Sequence, residues 1–107
     1  YEGGFFEFEI IMPRSFPYDP PDIRCMTRIW HPNIDENPPG RVCLSLLKED
    51  WTPSLHVFSI IEGIRVLLEC PNPDDYINSA AAKEMKFESE AFKRKVKDYI
   101  MVFAKAV

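Results

Sequence analysis

The chain has 107 residues, a net charge of −4, 46% hydrophobic and 28% charged side chains, a balance that suits one soluble globular domain or part of one. No apolar run is long enough to span a bilayer and no signal peptide is visible, so a membrane is not an expected partner, and the acidic balance argues against nucleic acid. Three cysteines with no Cys-x-x-Cys pair do not make a disulfide framework and point to a reducing cytoplasmic or nuclear setting.

The chain starts at Tyr1 without an initiator methionine, which predicts an incomplete N-terminus. Tyr1-Glu2-Gly3-Gly4 reads as a turn. Phe6, Phe8, Ile10 and Met12 then alternate with Phe5, Glu7, Glu9 and Ile11, the period of a strand with one strongly apolar face. Pro13 ends it. Phe16 to Pro21 cannot be regular structure, because proline fixes φ and lacks the amide hydrogen. A Pro-Pro bond in such a loop is a candidate for the cis form. Tyr18 stands among these prolines, either packed or free for docking. Ile23 to Ile29 reads as a second strand with Ile23, Cys25 and Thr27 on one side, so the pair suggests an antiparallel meander.

The stretch His31 to Pro53 must loop, because two prolines and a glycine separate Asn33 from Cys43. Loops on a rigid scaffold are where chemistry concentrates. Cysteine is strongly nucleophilic once ionised, and an asparagine amide can donate to a developing oxyanion. On these two residues alone, a buried structural cysteine beside a turn asparagine is the plainer reading. His31 reads as a structural hydrogen-bonding group rather than a base. Cys25, Cys43, Cys70, His31 and His56 lack zinc-ligand spacing, so no metal is expected.

Leu44, Leu46 and Leu47 predict a short buried turn, closed by Trp51-Thr52-Pro53. Val57, Ile60, Ile61, Ile64, Leu67 and Leu68 fall at helical intervals, and Pro71 ends this core helix. Pro71 to Asp75 is a rigid acidic turn. A short helix follows over 78–87. Ser89 is the expected N-cap of a last helix with Phe92, Val96, Tyr99, Ile100 and Phe103 facing inward. Strands come first and helices after, so the class is α+β: an antiparallel meander sheet packed on a central helix, with two C-terminal helices.

His31-Pro32-Asn33, Cys43 followed by Leu-x-x-Leu, Trp51-x-Pro53 and Pro71-Asn72-Pro73-x-Asp75 together resemble the ubiquitin-conjugating enzyme family, as do Tyr-x-Gly-Gly-x-Phe at the start and Pro20-Pro21. The resemblance implies a single conjugating core domain over 1–107, without the family's first helix and first strand. That helix contacts the activating enzyme in the family. By this resemblance Cys43 carries the modifier as a thioester, Asn33 is the oxyanion-loop asparagine, and Asp75 lies beside the incoming lysine. Tyr18, Thr52 and Pro53 match the loops that dock a ring-type ligase. The implied partners are a ubiquitin-like modifier, an activating enzyme, such a ligase and a protein substrate lysine. No cofactor is implied, since ATP is used upstream by the activating enzyme.

Leu44 to Trp51, Ser59-Ile60-Ile61-x-Gly63 and Ile77-Asn78-x-x-Ala81-Ala82 look most like the neddylation branch. Three features depart from the family's pattern: Asn37 to Gly40 lengthens the loop before Cys43 by about two residues, Tyr76 replaces a common proline, and the first helix and strand are missing. Conjugation of ubiquitin itself, an inactive binding module and a structural domain with a fortuitous cysteine are the competing readings. Cys43 in register with Asn33 and Asp75 favours an enzyme over the last two.

Overall fold

A computed structural model describes residues 1–105, so the last two positions of the expected domain lie outside the described residues. Among these residues, strands β1 (Phe8–Ile11), β2 (Asp22–Cys25) and β3 (Gly40–Arg41) form one antiparallel meander in that order. Helices α1 (Val57–Glu69), α2 (Ser79–Phe87) and α3 (Ser89–Phe103) follow, with a single 3-10 turn over Ser45–Leu47 between sheet and α1. The expected α+β class and meander are what the structure has.

β1 and β2 pair with Phe8 opposite Cys25 and Ile10 opposite Ile23. That register puts the apolar sets of both strands on one face. Ile23 and Cys25 are buried and share one core with Ile60, Ile64 and Leu67 of α1, so α1 covers the sheet. Gly63 lets α1 come close to the preceding turn: a Cβ there would already lie 3.3 Å from side-chain atoms of Leu44 and Leu46. A second cluster joins Trp30, Ala81, Phe92 and Val96, and so holds α2 and α3 to the loop after β2.

Several expectations are corrected. Both strands are shorter than the alternation suggested: Met12 is exposed, and β2 stops at Cys25. The backbone amide of Met26 turns back to the Glu7 carbonyl and the Thr27 hydroxyl accepts from the Glu7 amide, which closes the ladder there. Val57 and Ile61 of α1 face outward, because only one narrow stripe of the helix meets the sheet. Phe103 is also largely exposed, packed edge-on against Tyr99 alone of the stripe. Ser89 is not an N-cap. It is already helical, and Glu88 alone separates α2 from α3, closing the first with its amide on the Glu84 carbonyl. The cis peptide bonds are Phe16–Pro17 and Pro38–Pro39, and Pro20–Pro21 is not among them.

Candidate active site

The site rests on His31-Pro32-Asn33, three residues that are all buried. His31 accepts the Asn33 amide on Nδ1 at 3.0 Å, and its Nε2 lies 2.9 Å from the Leu67 carbonyl of α1. That arrangement fixes a neutral ring with the proton on Nε2. Burial pushes its pKa down to about 4 despite the Leu67 contact, so His31 is a structural connector, not a base. Tyr1 covers it, with ring centroids 5.0 Å apart, and donates its hydroxyl to the Trp30 carbonyl.

Asn33 faces the acidic turn. Its amide nitrogen donates to the carbonyls of Asn72, at 2.8 Å, and of Asp75, while its oxygen accepts the Asn72 amide at 2.9 Å. The Pro32 carbonyl accepts the amides of Ile77 and Asn78 at 2.8 and 3.0 Å. Residues 72–78 are therefore gripped at both ends by two adjacent residues. Asn78 then caps α2 by accepting the Ala81 amide at 3.1 Å, satisfying one orphan donor of the first turn. A side chain with all its polar capacity used in this way holds a loop and has no hydrogen left for a reacting oxygen.

Cys43 is placed from the other side. Its amide donates to the Asn33 carbonyl at 2.8 Å, and Asp35 donates to the Arg41 carbonyl at 2.9 Å. An isolated bridge between Ile34 and Val42 completes the register. The longer loop before the cysteine is thus closed as a hairpin and does not displace Cys43 from Asn33. Gly40 permits this closure, since a Cβ there would overlap the Asp35 carbonyl oxygen.

The Cys43 thiol is 6% exposed and lies on a groove of about 200 Å³ that Asn33, Leu44, Gly63, Val66, Leu67, Cys70, Asn72 and Asp75 also line. The thiol donates to Asp75 Oδ2 at 3.4 Å, and Lys48 Nζ approaches the sulfur at 3.6 Å. Burial, and next the Asp75 hydrogen bond, push the thiol pKa up, while Lys48 pulls it down. No base activates this cysteine at neutral pH; it is a guarded thiol suited to exchange with a partner that is already activated. Cys25 is buried in the core with its pKa also raised by burial, and Cys70 is exposed.

Tyr18 and the Trp51-Thr52-Pro53 turn lie 31 or more positions apart in sequence yet meet. The Trp51 indole donates to the carbonyls of Pro17 and Tyr18 at 3.1 and 3.2 Å, and its ring lies 6.0 Å from that of Phe16. The Tyr18 ring is 78% exposed, and Thr52 and Pro53 are exposed beside it. The structure brings together Cys43, Asn33 and Asp75 in one place, and Tyr18, Thr52 and Pro53 in another. Lys48 was not singled out by sequence reasoning, nor was the part Asn72 plays through its backbone. Asn72 lay in view inside Pro71-Asn72-Pro73; Lys48 gave no signal in a polar run. Among the described residues no group of three or more His, Cys, Asp or Glu gathers at metal-binding distance.

A guarded cysteine on an open groove, a neighbouring acidic turn and an asparagine that pins it define an acyl-carrying site, and residues 1–100 match the family described as ubiquitin-conjugating enzyme. The chain belongs to that family. It is 44% identical over 86 residues to the ubiquitin-conjugating enzyme E2 13 of Schizosaccharomyces pombe, covering 80% of this chain and 57% of that protein. It is 46% identical over 96 residues to the NEDD8-conjugating enzyme UBC12 of Kluyveromyces lactis, covering 90% and 51%. The E2 domain of a Toxoplasma gondii ubiquitin conjugating enzyme has a TM-score of 0.91 at 36% identity, over 98% of this chain and 73% of that one. The chain spans about half the length of the curated relatives it matches.

Proposed function

We propose that the protein accepts a ubiquitin-like modifier from an activating enzyme as a thioester on Cys43 and passes it to a substrate lysine. The observation that carries this reading is the thiol itself: nearly buried, on an open groove, with Asp75 at 3.4 Å and no activating base. Such a thiol resists stray electrophiles and still exchanges with an incoming thioester. The second step needs an amine held near the sulfur, with a carboxylate to orient it; Asp75 is the carboxylate. Asn33 acts as a positioning residue that fixes the turn bearing Asp75. Tyr18, Thr52 and Pro53 offer a ring-type ligase a small exposed surface. The energy resides in the thioester, so ATP enters at the activating enzyme, and the cytoplasm and nucleus are the compartments proposed.

The finer reading is protein neddylation. It is supported by the Leu44–Trp51 and Ile77–Ala82 stretches and by several relatives named as NEDD8-conjugating enzymes at 39 to 46% identity. Conjugation of ubiquitin is the second reading, favoured by the 44% identity to the fission-yeast enzyme. The test is to mix the protein with each activating enzyme, ATP and each modifier separately. A thiol-sensitive adduct should form, turn into a thiol-stable ester in Cys43→Ser, and persist in Cys70→Ser. The modifier that charges Cys43 fastest identifies the branch; no adduct with any modifier sinks the proposal.

A further inference from the structure

Lys48 is the one described lysine whose amine reaches the Cys43 sulfur, at 3.6 Å. The other lysines with described partners point elsewhere: Lys86 pairs with Asp74, Lys93 with Glu90, and Lys95 lies 3.7 Å over the Trp30 ring. The Lys48 backbone is fixed. Its amide closes the 3-10 turn on Ser45 at 3.0 Å, and the Asp50 amide returns to the same Ser45 carbonyl at 3.2 Å. An acyl carbon bonded to Sγ would lie within a single bond length of a sulfur that Nζ already touches. Reacting atoms held roughly 3–3.5 Å apart react with effective concentrations far above any free amine.

From this contact we infer that Lys48 is a modification site in cis: an acyl group carried on Cys43 moves from sulfur to Lys48 Nζ within the same molecule. The inference rests on the proposal that Cys43 carries an acyl group. The nitrogen lone pair forms the amide bond as the C–S bond breaks, and the proton that leaves nitrogen ends on the released Cys43 thiol. The step consumes one thioester and one amine and yields one isopeptide and one thiol, with no oxidant, metal or nucleotide. Asp75 sits on the same sulfur at 3.4 Å, so a substrate lysine seated at Asp75 and Lys48 compete for one carbonyl. When no substrate is seated, the internal amine takes the modifier. The modified protein then carries a bulky group at the lip of the groove and charges poorly.

The test has an enzymatic and a chemical arm, both on the whole protein. In the first, Cys43 is charged with modifier, the activating enzyme is quenched, and thiol-resistant adduct is followed over time and mapped by peptide mass spectrometry. In the second, a short peptide aryl thioester ending in Gly-Gly acylates the cysteines directly, without activating enzyme. The expected result in both is an amide on Lys48 that forms at a rate independent of protein concentration. The amide is lost in Cys43→Ser and falls about tenfold or more in Lys48→Arg, relative to the thioester loaded in each variant, because guanidinium is not an acyl acceptor. A thioester that decays without Lys48 amide overturns the inference. So does an amide that persists in Cys43→Ser, or one whose rate rises with protein concentration. If the enzymatic arm gives no thioester but the chemical arm gives the Lys48 amide, the proposed function fails and the sulfur-to-nitrogen transfer stands.

Discussion

Two surfaces built from loops are held in opposite ways. Beneath the cysteine, His31, Pro32 and Asn33 are buried, and their polar groups are committed to α1, the acidic turn and the N-terminus of α2. At the other surface, Tyr18, Thr52 and Pro53 stand in solvent, and one indole joins the two loops through carbonyls. The first region spends its side chains on geometry; the second leaves them free. Chemistry at a sulfur tolerates little displacement, whereas a docking surface needs exposed apolar area on a backbone that loses little entropy. The comparison therefore assigns large stability effects to the first region and small ones to the second.

The sharpest way to break that comparison is at His31. His31→Ala leaves the Asn33 amide and the Leu67 carbonyl without partners inside the core and opens a cavity, so unfolding should cost roughly 3–5 kcal/mol less than in the parent. The same residue gives a pH dependence. Its folded pKa is about 4, below the unfolded value of 6.5, so the unfolded chain takes up the proton first. Its contribution is fully present above pH 6.5 and is lost as pH falls toward 4, a loss of about 3 kcal/mol. Urea titrations at pH 7.5 and 4.5 should show this slope in the parent and a flatter one in His31→Gln. Equal slopes would mean that other groups carry the acid sensitivity.

Asn33→Ala is the next largest. It removes three hydrogen bonds to the acidic turn and should cost about 2 kcal/mol of stability. Loading of Cys43 should survive, since the Asn33 carbonyl that holds the Cys43 amide is backbone. Discharge to free lysine should slow by about tenfold or more, because Asp75 loses its fixed position. Discharge at the parental rate in a folded variant would confine Asn33 to stability.

The sequence made the helices legible, because their apolar positions repeat at helical spacing whatever the tertiary context. It also showed that Asn33, Cys43 and the Pro71–Asp75 turn belong together, through the resemblance rather than through any local rule. β3 was not visible, since two residues between Pro39 and Val42 pair only because β2 is already in place. The Ser89 cap failed because α2 ends one residue earlier and sets the backbone there. Lys48 was silent in Lys48-Glu49-Asp50, which reads as a solvated turn; only the path of the 3-10 turn carries its amine to the sulfur. Asn33 was read as an oxyanion donor or a loop holder, and the three bonds to the turn place its side chain in the second role in the resting protein.

A smaller effect separates the two charges at the sulfur. Asp75 holds the thiol pKa up through its hydrogen bond and charge, and Lys48 lowers it. Iodoacetamide alkylation of Cys43 at pH 7.5 should thus speed up in Asp75→Asn and slow down in Lys48→Met, each by a few fold, since thiolate is the reacting form. Both rates should keep rising as pH passes the ordinary cysteine range. A thiol unchanged in both variants would mean that burial alone sets its reactivity.

The smallest stability effect is expected at Tyr18, and it bears on what the second surface is for. The ring is 78% exposed, and the bonds that join the two loops run from the Trp51 indole to main-chain carbonyls, so they do not use the Tyr18 side chain. Tyr18→Ala should leave stability within about 0.5 kcal/mol of the parent, as is usual for surface substitutions. Loading of Cys43 should also be unchanged, because that site is built by residues 31–43 and 71–78. What should change is affinity for a ring-type ligase, where an exposed aromatic beside prolines is suited to be an anchor worth about 2 kcal/mol. Trp51→Phe provides the contrast: it keeps an aromatic ring but removes both bonds, so it should lower stability and ligase affinity together by freeing one loop from the other. The two variants thus part the anchor from its mounting. Ligase affinity intact in Tyr18→Ala but reduced in Trp51→Phe would place the contact on Thr52 and Pro53. Affinity intact in both would leave this pair of loops with no part in ligase docking.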